Sequence, residues 1–147
     1  MSFDTARKKI IDIVSAATPT TSVAGSGDAY VYVDTCGDLR IASTRHFYLT
    51  IEGGSVGGPL TSLTRIYQAQ LDLRIFYQNV RSAERFDGIV VSDYEAISSA
   101  LLDVAQWDQT SSKIRSITVS GSNIVRYDVE ESDEGRMLTI NIELEYE

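Results

Sequence analysis

The chain has 147 residues, with 21 acidic and 13 basic side chains and a formal net charge of -8. Residues 128–147 hold 8 of the acids and one base, Arg136, which is -7 and leaves -1 for everything before them. A near-neutral domain that carries its acidity at one end lacks the basic face that phosphate binding needs, so a general nucleic-acid binder is not expected.

The length suits one domain over 1–147, and a hydrophobic content of 43% suits a packed core. No run approaches the ~20 apolar residues of a membrane span, and Met1-Ser2-Phe3-Asp4 lacks the basic-then-apolar pattern of a signal peptide. Cys36 is the single cysteine. It permits neither an intrachain disulfide nor a cysteine metal cluster, which fits a reducing cytoplasm.

The first predicted element is an amphipathic helix. Phe3, Ala6, Ile10, Val14 and Ala17 recur at steps of three and four, and Ile13 widens the stripe. Ser2 or Asp4 can cap its start, and Pro19 bars its continuation. Arg7, Lys8 and Lys9 form an exposed basic face. Residues 18–27 read as a loop and 29–33 (AYVYV) as a strand. Residues 34–38 (DTCGD) read as a tight turn, and 39–52 as a returning strand broken near Ser43. Residues 53–59 (GGSVGGP) read as a loop, because glycines hold neither strand nor helix cheaply.

The clearest strand follows. Tyr67, Ala69, Leu71, Leu73, Ile75 and Tyr77 alternate with Gln68, Gln70, Asp72 and Arg74, the period-two signature of a half-covered antiparallel strand. Phe76 is the exception on the polar side. A capping box at Ser92 and Glu95 predicts the start of a second helix. Its expected buried stripe is Tyr94, Ile97, Leu101, Val104 and Ala105. Residues 113–119 read as a strand, 121–123 as a turn and 124–131 as its partner. Residues 133–135 turn the chain into 137–146, with Leu138, Ile140, Ile142, Leu144 and Tyr146 inward and Thr139, Asn141, Glu143 and Glu145 outward. The fold class is α+β, with two helices on one face of a mainly antiparallel sheet and long β-hairpin excursions. The other sheet face meets water or a polar partner.

No motif carries chemistry. Gly53-Gly54-Ser55-Val56-Gly57 matches G-x-S-x-G, but a long strand follows it and the only histidine, His46, precedes it. Gly25-Ser26-Gly27 precedes a strand and lacks a third glycine, so it is not a dinucleotide fingerprint. One histidine and one cysteine do not make a zinc site. Asp128, Glu130, Glu131, Asp133 and Glu134 miss the spacing of a calcium loop and read as an acidic surface. No enzyme, metal or cofactor is expected. Phe47 or Tyr48, Phe76, Phe86 and Trp107 are either core residues or a subunit interface, where aromatics are enriched.

The second half of the chain resembles the tail terminator and tail-completion (neck) proteins of long-tailed bacteriophages. The residues that carry this are RIYQAQLDLRIFY at 65–77, the helix over 93–104, IVRYDVEE at 124–131 and MLTINIELEY at 137–146. The N-terminal helix agrees with it. The resemblance implies a structural virion protein that assembles as a homo-oligomeric ring, often a hexamer, on the end of the tail tube. It would stop tube polymerisation and join the tail to the head. It implies the major tail tube protein and the head–tail connector or neck proteins as partners. DNA would be a passing cargo that is not gripped, and no membrane is involved. The place is the tail or neck of the virion, assembled in the host cytoplasm.

A neck or head-completion protein is the nearest alternative, and a small-ligand-binding cytoplasmic domain a remoter one. The candidate contacts to tube and neck are the loop with Gly53, Gly54, Ser55, Val56, Gly57 and Gly58, and the loop 81–88 with Arg81, Arg85 and Phe86. Glu130, Glu131, Glu143 and Glu145 are candidates for an acidic lumen that repels DNA, or else face solvent outside the ring.

Overall fold

The computed structural model describes residues 3–21, 29–33, 44–57, 65–78, 83–107, 114–130 and 133–147. For 55, 78, 83–85, 120–130 and 133–135 it describes the course of the backbone.

Helix α1 (Phe3–Ala16) forms where the apolar stripe places it, with Ala6, Ile10, Ile13 and Val14 buried. Burying each of the three larger side chains is worth about 1.5–3 kcal/mol. Asp4 lies inside the first turn and pairs with Arg7 and Lys8, both at 2.9 Å. A carboxylate at the helix N-terminus also meets the favourable end of the macrodipole.

Five strands make one sheet in the order β1-β2-β3-β5-β4. β3 (Ile66–Gln78) and β5 (Asp133–Tyr146) are the inner strands, β2 (His46–Gly57) flanks β3, and β4 (Ile114–Glu130) flanks β5. All three of these pairings are antiparallel. The alternation expected of β3 and β5 is realised. Leu71, Leu73, Ile75, Leu138, Ile140 and Ile142 are fully buried or nearly so, beneath α1 and α2. The α+β class with helices on one face therefore holds.

Several local expectations are overturned. β1 (Val31–Tyr32) is only a short strand, and it pairs parallel to β2 through Val31↔His46 and Tyr32↔Phe47. A parallel pair cannot be closed by a two-residue hairpin, so 29–33 and the described part of the expected returning strand, 46–52, are not the arms of one. Residues 39–43 lie outside the described residues. The turn expected at 34–38 lies outside the described residues. Residues 53–57 are not a loop but the second half of β2, paired with β3 from Gly53↔Gln70 to Gly57↔Ile66.

Helix α2 (Ala83–Leu102) begins well before the capping box. Ser92 lies mid-helix, where its hydroxyl meets those of Thr20 and Thr21. The stripe that α2 buries is Phe86, Ile89, Val90, Asp93, Ile97 and Leu101. Asp93 breaks the apolar run, which is why the sequence pattern starts too late. The helix also stops sooner than expected. Asp103 accepts from the Ala105 amide at 3.0 Å and caps a single 3-10 turn, Val104–Gln106, with Val104 65% exposed.

The turn expected at 121–123 is instead an irregularity inside continuous β4, between Ser120↔Asn141 and Ser122↔Ile140. Gly121 is the extra residue of a bulge. The turn expected over 133–135 is already β5, since Glu130 pairs with Asp133.

Candidate functional site

Three places in the described residues concentrate polar or unusual chemistry: a buried ion pair under α2, the uncovered face of the sheet, and the far half of β2.

The buried pair was not foreseen. Asp93 Oδ1 accepts from Arg45 Nη2 and from Tyr30 Oη, each at 2.9 Å. Its Oδ2 accepts from Arg45 Nε at 3.0 Å and Tyr77 Oη at 2.7 Å. Neither charged side chain is exposed. Arg45 also donates to the carbonyl of Thr21. The forked Arg–carboxylate contact is the strong form of a charged hydrogen bond.

Burial, and then the Asp93 carboxylate, push the Tyr30 and Tyr77 phenols well above their usual range. Both therefore stay protonated and donate. Arg45 takes φ 64°, a left-handed backbone that a non-glycine residue rarely adopts. Its amide donates to Phe76 O at 2.7 Å and its carbonyl accepts from the Val31 amide at 3.1 Å. The cluster thus ties together β1, the turn before β2, β3, α2 and the segment after α1. With both carboxylate oxygens in use and no exposure, it is a clamp rather than a reactive centre. The sequence signal that could have found it is Asp93 on an otherwise apolar stripe, since a buried carboxylate needs a partner.

The uncovered face holds the acidic ladder. Gln68 pairs with Glu145 and Gln70 with Glu143 across the β3–β5 ladder, and Thr118 pairs with Glu143 across β4–β5. The amides of Gln68 and Gln70 reach those carboxylates at 3.5 Å and 3.4 Å. Arg115 approaches Glu145 at 3.8 Å and Glu147 at 3.9 Å. Gln68, Gln70, Thr118, Glu143 and Glu145 edge a shallow polar depression of about 110 Å³. Glu143 and Glu145 therefore share one face. Glu130 ends β4 at the opposite end of the ladder, opposite Asp133, and Glu131 lies outside the described residues.

The far half of β2 brings the glycines together. A bulge between Ile51 and Gly53 resets the register, so Ile51 lies opposite Leu71 and Val56 opposite Tyr67, both on the helix-bearing side. A Cβ on Gly54 would stand 2.9 Å from the Gln68 carbonyl oxygen, so this position needs glycine, whereas Gly53 and Gly57 have open space. Here the helix layer has run out. Phe3 stacks on Tyr146 at 6.5 Å and Tyr146 on Tyr67 at 5.4 Å. Ile51 and Val56 remain 56% and 60% exposed. An apolar groove of about 490 Å³ results, lined by Phe3, Ile51, Val56, Tyr67 and Tyr146 among others.

The second candidate loop is overturned in part. Phe86 is fully buried, with Tyr77 edge-on at 5.5 Å and the Arg136 guanidinium over its ring at 4.4 Å. Arg85 belongs to the first turn of α2. Arg81 and Gly58 lie outside the described residues. Phe47, Phe76 and Trp107 are core residues. Ser55 sits inside a strand opposite Gln68, not on a strand-to-helix elbow. Burial lowers the His46 pKa.

No protein-family model and no curated protein matches the chain. Among the described residues no helix is long and apolar enough to cross a membrane.

Proposed function

We propose that this chain is a structural virion protein of the tail-terminator kind, which forms a ring on the end of a phage tail tube, ends tube growth and makes the joint to the head or neck. It works by surface complementarity and carries out no reaction.

The observation that supports this reading is the uncovered sheet face. Three neighbouring strands present Gln68, Gln70, Thr118, Glu143 and Glu145 side by side, over a core closed by helices on the opposite side. Such a face is extended, and the outward side chains at its centre on β5, Glu143 and Glu145, are acidic. Placed around a lumen, Glu143 and Glu145 repel passing DNA, as a channel that must not grip its cargo requires.

The test is electron microscopy of the purified protein mixed with tail tubes, alongside its mass in solution by light scattering. Rings seated on tube ends are the expected result. A chain that never engages tube ends would sink the terminator reading. Replacing Glu143 and Glu145 together with lysine should slow DNA ejection while leaving assembly intact. Unchanged ejection would remove the lumen assignment alone.

A further inference from the structure

We infer that the far half of β2 is a strand-addition site for a second copy of this chain, which supplies its β4 edge. The inference rests on self-assembly, which the terminator reading also requires.

Sheets seldom leave long edges bare, because a row of unused amides and carbonyls pairs with the next strand it meets. Among the described residues, β1 covers β2 only at His46 and Phe47, and nothing else pairs with the outer side of 49–57. At the other end of the sheet, β4 pairs among the described residues with β5 alone. The described residues thus leave two different long edges on opposite flanks.

Their directions fit. β2, β3, β5 and β4 alternate, so β4 runs opposite to β2. A copy related by rotation brings its β4 antiparallel to β2, which continues the sheet across the joint. That contact is heterologous, the kind that closes into a ring.

Both faces of the joint match as well. On the helix-bearing side, exposed Ile51 and Val56 need cover, and β4 carries partly buried Ile117 and Val119 on that same side. On the uncovered side, Glu52 lies beside Asp72 at the β2 flank, with Arg74 between them, at 3.9 Å from each. At the β4 flank stands Arg115, 45% exposed. On the edge strands themselves, β2 thus carries an acid, Glu52, and β4 a base, Arg115, which also lies 3.8 Å and 3.9 Å from Glu145 and Glu147. Gly53 and Gly57, whose missing side chains leave open space, let a second backbone lie close.

Hydrogen exchange on the full chain, assembled and dispersed by dilution, tests this. Amides within 49–57 and along β4 should exchange at least roughly tenfold more slowly in the assembly. Ile51→Lys should raise the concentration needed for assembly by about tenfold or more while the circular dichroism spectrum stays unchanged. Glu52→Arg and Arg115→Glu should each weaken assembly, and their combination should restore it.

Rings on tube ends with fast exchange at 49–57 would overturn the edge contact and leave the terminator reading standing. Protected edges in oligomers that ignore tubes would do the reverse. Protection that appears only when tube protein is added would assign the edge to another occupant and overturn the inference.

Discussion

Asp93 and Arg45 meet at 2.9 Å with neither side chain exposed, whereas Arg115 approaches Glu145 at 3.8 Å with 45% and 33% of those side chains in solvent. The inner pair is forked, and its carboxylate takes two further phenol donors. The outer pair is long and screened. Exposed pairs of that kind contribute about 0–1 kcal/mol. A buried pair is costly to form, and costlier to leave half-made, because the remaining charge has no water. The charges on the helix-covered side of the sheet therefore fix the fold. Those on the uncovered side are released from that task and free to serve a contact.

The largest effect should come from breaking the inner pair. Asp93→Ala leaves the Arg45 guanidinium buried without its carboxylate, at an expected cost of about 3–5 kcal/mol. A domain of this size has roughly 5–15 kcal/mol in total. The midpoint of urea unfolding should fall accordingly, or the protein should fail to accumulate folded. A loss below about 1 kcal/mol would mean that solvent reaches the pair. Tyr77→Phe keeps the shape and removes one donor to a charged acceptor. It should cost about 1.5–3 kcal/mol by the same measurement.

The strands were legible where one face is apolar and the other polar. β3 and β5 have that pattern over almost their full length, and their inward residues are the ones expected. The helix stripe of α1 was legible for the same reason. Where the pattern carries an exception, reading failed. Asp93 interrupts the stripe of α2, and the nearest cap-like pair, Ser92 and Glu95, then imitates a helix start. Gly53, Gly54 and Gly57 look like a loop, yet a strand beside β3 accepts them because the ladder supplies what their own propensity does not. Gly121 looks like a turn and is a bulge. Arg45 could not be anticipated at all, since its left-handed backbone is imposed by contacts with Phe76, Val31, Thr21 and Asp93 that are distant in sequence. The glutamate ladder was visible as an alternation, but not which strands lie beside it.

Glycines of β2 offer an intermediate effect with an internal control. Gly54→Val drives a Cβ toward the Gln68 carbonyl, a backbone atom that cannot swing aside. An overpacking cost of about 1–3 kcal/mol is expected. Gly53→Ala meets nothing within 4 Å, so thermal unfolding should move by no more than about 0.5 kcal/mol equivalent. Equal losses at both positions would show that the strand tolerates glycine for chain flexibility rather than for the close approach at Gly54.

The smallest effect distinguishes an outer-face carboxylate from the inner one by its sign. Burial, and then the neighbouring Glu52, raise the Asp72 pKa above its ordinary 3.8, with Arg74 opposing them. The folded chain then holds this proton more tightly than the unfolded chain does. Stability from this group is therefore greatest at acid pH. It declines as pH rises from the ordinary carboxylate value through the raised folded one. Above that window the ionised form is a net burden. Asp72→Asn should stabilise slightly near neutral pH, by no more than about 0.5 kcal/mol, and should lose that advantage at pH 4. Urea midpoints of both proteins at the two pH values measure the difference. A variant less stable than the parent at neutral pH would mean that Arg74 depends on Asp72 more than Asp72 suffers from Glu52. The outer face would then share the rule of the inner pair.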